Sequence, residues 1–325
     1  MSIFCDETAP ENIVKSSSPR IFTTYCLFHL GDHIYNMNLF RQMEDLLRET
    51  NRKIHYYCPS QYHEQVAEFS PSSDVFELFA MCDLDRDAIL DKGLVPGGFS
   101  PLHELHIGNQ RLPKHLFNRT HANFDQFYEE FYGQFLETWF SKEIAETYPI
   151  SFIAKKDPDL VSRYENLPQK YKDLDILFIN STPMSHQYFR PGITWDKYIL
   201  NASNLGLKIA TTAPLSRRPP RGGASPPCTI DDKLTIKNIA AISTRAKNII
   251  AINTGPLSGC FNEITMDYVD KIYVFDKGNT FIHKKVVSCE KIEDIQLSNF
   301  CGGGGAAREL KLRKPKPVRK IGMGF

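Results

Sequence analysis

"YCLFHLGDHIYNMNLFRQM", residues 25–43, changes its grammar midway. Up to Leu30 it reads as a short apolar strand. After Asp32 the apolar residues Ile34, Met37, Phe40 and Met43 recur at every third position, as on one face of a helix. Gly31 and Asp32 stand at the turn between the two. A strand feeding a helix through so tight a turn is the opening unit of a parallel sheet with helices on its faces.

Working outward, the rhythm continues. "RIFTTYCLFHL" (20–30) is a strand, "DHIYNMNLFRQMEDLLRET" (32–50) a helix, "RKIHYYCP" (52–59) a strand, "SQYHEQVAEFS" (60–70) a short helix and "DVFELFAM" (74–81) a third strand. From about 86 to 118 the pattern gives way to Gly, Pro and His, and "ANFDQFYEEFYGQFLETWFSKEIAETY" (122–148) then predicts long aromatic helices. A second alternation follows: strand "DILFIN" (175–180), a helix around 194–205, strand "KIATTA" (208–213), helix "TIKNIAAISTRA" (235–246), strand "NIIAIN" (248–253), a short helix and strand "KIYVFD" (271–276). The fold class expected is α/β, with two Rossmann-like domains facing a cleft. The boundaries read as a flexible leader over 1–19, a first domain over 20–150, a linker over 151–172, a second domain over 173–300 and a disordered basic tail over 301–325.

Bulk properties narrow the partners. A chain of 325 residues with 42% hydrophobic side chains can bury an ordinary core without metal or disulfide staples. A net charge of +1 provides no global field for nucleic acid. No apolar run approaches the roughly 20 residues that span a bilayer, and the acid-bearing start lacks an apolar signal core, so a cytoplasmic protein is expected. Eight scattered cysteines without a CxxC pair read as reduced, buried thiols. The stretch after 301 carries seven Lys or Arg against one Glu, and peripheral contact with an anionic membrane is the one membrane role open to it.

Ligands of parallel α/β sheets bind outside the carboxyl ends of the strands, and three strand-end turns carry chemistry. In "HLGDH" (29–33) Asp32 is placed either to cap free N–H groups at the helix start or to act as a general base. Gly31 lets the backbone turn tightly and leaves room for a ligand, while His29 and His33 flank the acid, to orient it, to bind an acceptor or simply to fill the core. "INSTPMSHQYFRPGITWDKYI" (179–199) brings hydroxyls, a cation and a helix start together, the parts of a phosphate site or of an ordinary polar loop. In "AINTGPLSGCF" (251–261) the amides of Gly255 to Gly259 and the hydroxyls of Thr254 and Ser258 suit a diphosphate, whereas a plain turn needs only the glycine.

The order of these turns resembles the GT-B glycosyltransferases, and within them the heptosyltransferase-like (ADP-heptose:LPS) branch. That family opens with a strand, a Gly-Asp turn and a helix, as "LFHLGDHIYNMNLFRQM" does. Its second domain opens with a strand, a loop holding a cation and a Trp-bearing helix, matched by "ILFINSTPMSHQYFRPGITWDKYI" with Arg190 and Trp195. "IKNIAAISTRAKNIIAINTGP" matches the later helix, strand and Ser/Thr-Gly turn, with Asn253 where the family often has Asp. The likeness covers roughly 20–60 and 173–276. Pro256, Leu257 and Ser258 stand where the family usually has a His, and the loop "SRRPPRGG" and the glycine-rich tail are foreign to it.

The resemblance implies a metal-independent, inverting transfer of a sugar from a nucleotide-sugar donor to a glycan or glycolipid acceptor, with no resident cofactor. Asp32 would be the base, with Gly31, His29 and His33 near it. Ser181, Thr182, Gln187, Arg190, Asn253, Thr254, Gly255, Ser258 and Gly259 would hold the donor. Alternatives are a non-catalytic nucleotide-sugar-binding protein or a nucleotide-sugar epimerase of the same architecture. A metal-dependent transferase would want an Asp-x-Asp pair; Asp83 and Asp85, Asp157 and Asp159, and Asp173 and Asp175 offer the spacing. A dinucleotide oxidoreductase would want three glycines after the first strand, and that turn has one.

Overall fold

The computed structural model of the chain describes residues 19–26, 29–82, 103–104, 124–182, 195–216, 225–275 and 283–300. In the first half these form β1 (Arg20–Tyr25), α1 (Leu30–Gln42), α2 (Glu44–Glu49), β2 (Arg52–Pro59), α3 (Ser60–Ala67), β3 (Phe76–Met81), β4 (His103–Glu104), α4 (Phe124–Trp139) and α5 (Lys142–Thr147). Then come α6 (Pro158–Asn166), β5 (Ile176–Ile179), α7 (Trp195–Asn204), β6 (Ile209–Thr211), α8 (Ile236–Ser243), β7 (Asn248–Ile252), α9 (Gly255–Cys260), α10 (Glu263–Tyr268), β8 (Lys271–Phe275) and β9 (Val286–Cys289).

The strands build two sheets, ordered β3-β2-β1-β4 and β6-β5-β7-β8-β9, with each pairing parallel. Both are Rossmann-like. In the first the winding direction reverses between β1 and β4, in the second between β5 and β7. At such a reversal the crossovers leave opposite faces of the sheet and open a crevice at the carboxyl edge. β5 and β7 are buried along their whole lengths, which is why "ILFI" and "NIIAI" are unbroken apolar runs.

The opening stretch departs from its sequence reading in two ways. β1 ends at Tyr25, and α1 begins at Leu30 rather than after Asp32. Asp32 therefore sits inside the first turn, its Oδ2 accepting the His29 backbone N–H at 3.2 Å. The helix is also not one-sided, since every residue from His33 to Phe40 is buried. Two of its polar members reach distant groups: His33 Nδ1 lies 2.8 Å from the Tyr56 hydroxyl, which accepts from Asn36 Nδ2 at 2.8 Å, and Tyr132 donates to Asn36 Oδ1 at 2.6 Å. A buried polar group costs free energy unless it is bonded, so these tyrosines make the central position of α1 affordable.

Further differences are local. The helix expected over 32–50 breaks at Met43 into α1 and α2. Segment 151–172 contains α6, started by Asp157, whose carboxylate accepts from Asp159 N at 3.1 Å, and by Pro158 in the first turn. β4 has two residues and β9 four, and neither was expected. No helix among the described residues is long and apolar enough to cross a membrane. The leader up to residue 18, the loop 217–224 and the tail after 300 lie outside the described residues.

Candidate functional site

The reversals of the two sheets meet. The β1–α1 turn abuts the β7–α9 turn: a Cβ placed on Gly31 would lie 3.2 Å from Ser258 Oγ and 3.4 Å from the Gly255 Cα. From the other side, a Cβ on Gly255 would lie 3.4 Å from the Gly31 backbone nitrogen. Glycine is thus used at both positions for close approach of backbone to backbone. The space beside Gly31, read from sequence as room for a ligand, is taken by Ser258 and Gly255.

The first turns of α1 and α9 come together here with the Asp32 carboxyl at α1; in α9 Pro256 carries no N–H, and the Leu257 and Ser258 N–H groups are held by the Thr254 carbonyl at 2.9 and 3.3 Å. Asp32 is half-buried by exposed surface yet closely surrounded, and burial raises its pKa from 3.8 to about 7. The backbone N–H groups of His29 and Asp32 favour the ionised form, but less strongly than burial opposes it. His29 is the residue before the helix, and its N–H serves as the acid's donor. His33 turns into the core, where its ring packs 5.5 Å from that of Tyr62.

At β7 the Thr254 Oγ1 is shielded from water and has no hydrogen-bond partner among the described residues. A hydroxyl in that state costs about 1–3 kcal/mol until a partner arrives. Ser258 is buried, and Asn253 is half-buried at the strand end. Gly259 faces away from the turn: a Cβ there would meet Ile236 Cγ2 at 3.3 Å, and Ala240 Cβ and Phe69 Cζ at 3.4 Å each.

The β5 bend is adjacent, because Ile179 is level with Ala251 in the β5–β7 ladder. Thr212, which sequence reasoning did not single out, organises it. Its Oγ1 accepts from Asn180 N at 3.0 Å and Ser181 N at 3.2 Å and lies 3.2 Å from Ser181 Oγ. Asn180 answers with Oδ1, accepting from Thr212 N at 3.1 Å and Ala213 N at 2.9 Å. The doubled threonine closing "KIATTA" is the one sequence signal for this clasp. Thr182 is exposed beyond it, and Gln187 and Arg190 lie outside the described residues.

The acids of the rival metal reading have other partners. Asp157 Oδ2 is 2.6 Å from Arg41 and 2.5 Å from Lys237, while Asp159 holds Arg163 at 2.7 Å. Asp175 holds Lys247 at 2.7 Å, and Asp173 accepts from the Tyr164 hydroxyl at 3.2 Å. Asp83 and Asp85 lie outside the described residues.

No family model and no curated protein matches the sequence. Among solved structures, a glycosyl transferase of family 9 from Veillonella parvula is similar over 85% of this chain and 87% of its own, at 14% identity and a TM-score of 0.47. The E. coli heptosyltransferase WaaC with ADP is similar over 82% of this chain and 91% of its own, at 13% identity and a TM-score of 0.48. The E. coli ADP-heptose lps heptosyltransferase II is similar over 82% and 90%, at 11% identity and a TM-score of 0.48. At such identities a likeness concerns the course of the chain and says nothing of chemistry.

Proposed function

We propose that the chain is a glycosyltransferase that moves a sugar from a nucleotide-sugar donor to a glycan or glycolipid hydroxyl. The observation that carries this reading is the meeting of two sheet reversals at an acid whose pKa is raised to about 7. A base with a pKa near the working pH is both largely available and strong enough to take a hydroxyl proton. The donor's diphosphate suits the second half, where the Thr254 hydroxyl has no partner among the described residues and the Gly255 N–H stands at a helix start.

In the step proposed, Asp32 takes the acceptor's proton as its oxygen attacks the anomeric carbon. The bond to the diphosphate breaks on the opposite face, so the configuration inverts through an oxocarbenium-like state. The charge that develops on the leaving group falls to Thr254, Ser258, nearby amides and, from outside the described residues, Arg190. On this reading no metal takes part.

A second reading rests on the contact at Gly31. Ser258 and Gly255 press on the turn that carries the base, which suits a protein that binds a nucleotide sugar without turning it over. An epimerase of the same architecture would also bind the donor. Thermal stabilisation by a panel of nucleotides and nucleotide sugars, followed by assays of transfer, hydrolysis and epimerisation on those that bind, separates the three. Ligands that bind only the folded state raise its stability by mass action. Stabilisation with transfer, lost in Asp32→Asn, supports the transferase; stabilisation without turnover supports the binding protein, conversion of the donor to its epimer supports the epimerase, and no stabilisation by any donor overturns all three.

A further inference from the structure

The segment joining the halves is fastened along its length. On the first half, the Tyr148 hydroxyl donates to the Gln42 carbonyl. Gln42 Nε2 donates to the Ser151 carbonyl at 2.8 Å, and Ser151 N returns a bond to Gln42 Oε1 at 3.0 Å. On the second half, Ala154 N donates to the Phe261 carbonyl at 2.9 Å and Ala154 O accepts from Glu263 N at 2.9 Å. Lys156 N then donates to Glu263 Oε2 at 3.1 Å.

Directly after these ties comes a charged cluster. Asp157 Oδ2 receives Arg41 from α1 at 2.6 Å and Lys237 from α8 at 2.5 Å. The Lys237 side chain is 3% exposed, and its Nζ lies 4.8 Å from the ring centre of Phe69, which follows α3. Glu68, beside Phe69, accepts the Thr235 hydroxyl at 2.6 Å and pairs with Arg163 at 3.3 Å. One apolar cluster runs without a break from Ile34 and Leu39 in α1 to Ile236, Ala240 and Leu257 in the second half.

A hinge between domains needs a few residues free to change their backbone angles. Here the connecting backbone is bonded from both sides, and parting the halves would pull Arg41 of α1 away from an acid held against the second half by Lys237. We infer that the two halves form one cooperative body, pinned by the Arg41–Asp157–Lys237 cluster, rather than two domains that swing about a linker. This inference does not depend on the catalytic reading.

The two tryptophans, one in each half, provide the test. Trp139 stacks on Phe22 in the first half with ring centres 4.5 Å apart, and Trp195 lies 5.6 Å from Phe275 in the second. The full chain carrying Trp195→Phe reports unfolding of the first half in urea, and Trp139→Phe that of the second. The two fluorescence transitions are expected to superimpose. Adding Asp157→Ala to each is expected to lower both midpoints and pull the curves apart. Curves that separate with Asp157 in place overturn the single body, and curves that still superimpose without it overturn the pin. Should Asp157→Ala not fold, Asp157→Asn, which keeps the shape, is read in the same way.

Discussion

Asp32 and Asp157 are the same residue at the same kind of place, the start of a helix, and the protein treats them oppositely. Asp157 faces Arg41 and Lys237, and these cations hold its carboxyl well below the usual carboxylate range despite burial. Asp32 has backbone N–H groups to steady it, and burial pushes its carboxyl up to about 7. The first arrangement makes an acid permanently ionised and unable to take a proton at neutral pH, which suits a structural tie. The second leaves an acid poised to exchange one. Two carboxylates whose surroundings drive them apart in this way mark separate roles.

The comparison can be broken by experiment. The largest effect is expected from Asp32→Asn, which keeps the shape and an acceptor for the His29 N–H. Transfer should fall by about 10²- to 10⁴-fold with stabilisation by the donor nucleotide retained; retained transfer would rank Asp32 with Asp157 as structural. Asp157→Asn leaves two cations without their acid and should cost about 3–5 kcal/mol, read from the urea midpoint. Next comes Gly259→Ala, whose new methyl meets Ile236, Ala240 and Phe69 in the seam that Asp157 pins. Overpacking there should cost about 1–3 kcal/mol in the same measurement, and a neutral result would mean a looser seam.

The smallest effect sharpens the contrast in sign. The folded Asp32 titrates near 7 and the unfolded near 3.8, so between these values the native state holds the extra proton and stability falls as pH rises. Asp32→Asn removes that slope, and the variant should gain about 1 kcal/mol on the wild type at pH 8 relative to pH 4, after discounting for solvent screening. Asp157, with its pKa depressed, contributes stability above about pH 4 that is lost as pH falls towards its folded value. The thermal midpoint of Asp32→Asn should therefore gain on the wild type as pH rises from 4 to 8, whereas that of Asp157→Asn should gain on it only as pH falls below about 4.

Much of this architecture was legible in the chain. "RKIHYYCP" and "NIIAIN" lie on β2 and β7 almost to the residue, because buried parallel strands are long β-branched or aromatic runs between polar turns. The Gly31–Asp32 turn stood out because a glycine and an acid at a strand end need a reason. The two-residue β4 was invisible, since no pattern of alternation exists in so short a piece. α1 misled in a more useful way. Its period of three predicted one buried face, but α4 of the first half and α9 of the second also pack on it, and His33, Asn36 and Gln42 became core residues through Tyr56, Tyr132 and Ser151.

By itself the sequence determined the two alternations of strand and helix, and with them the parallel sheets and the edge at which chemistry is expected. Hydrophobic period and turn residues are local properties, readable within a few positions. Only the tertiary structure decided which acid would be paired and which left near neutrality. The charge that a carboxylate carries depends on cations and burial supplied by segments far away in sequence: for Asp157 these are Arg41 and Lys237, and for Asp32 it is burial where the β7–α9 turn meets its own.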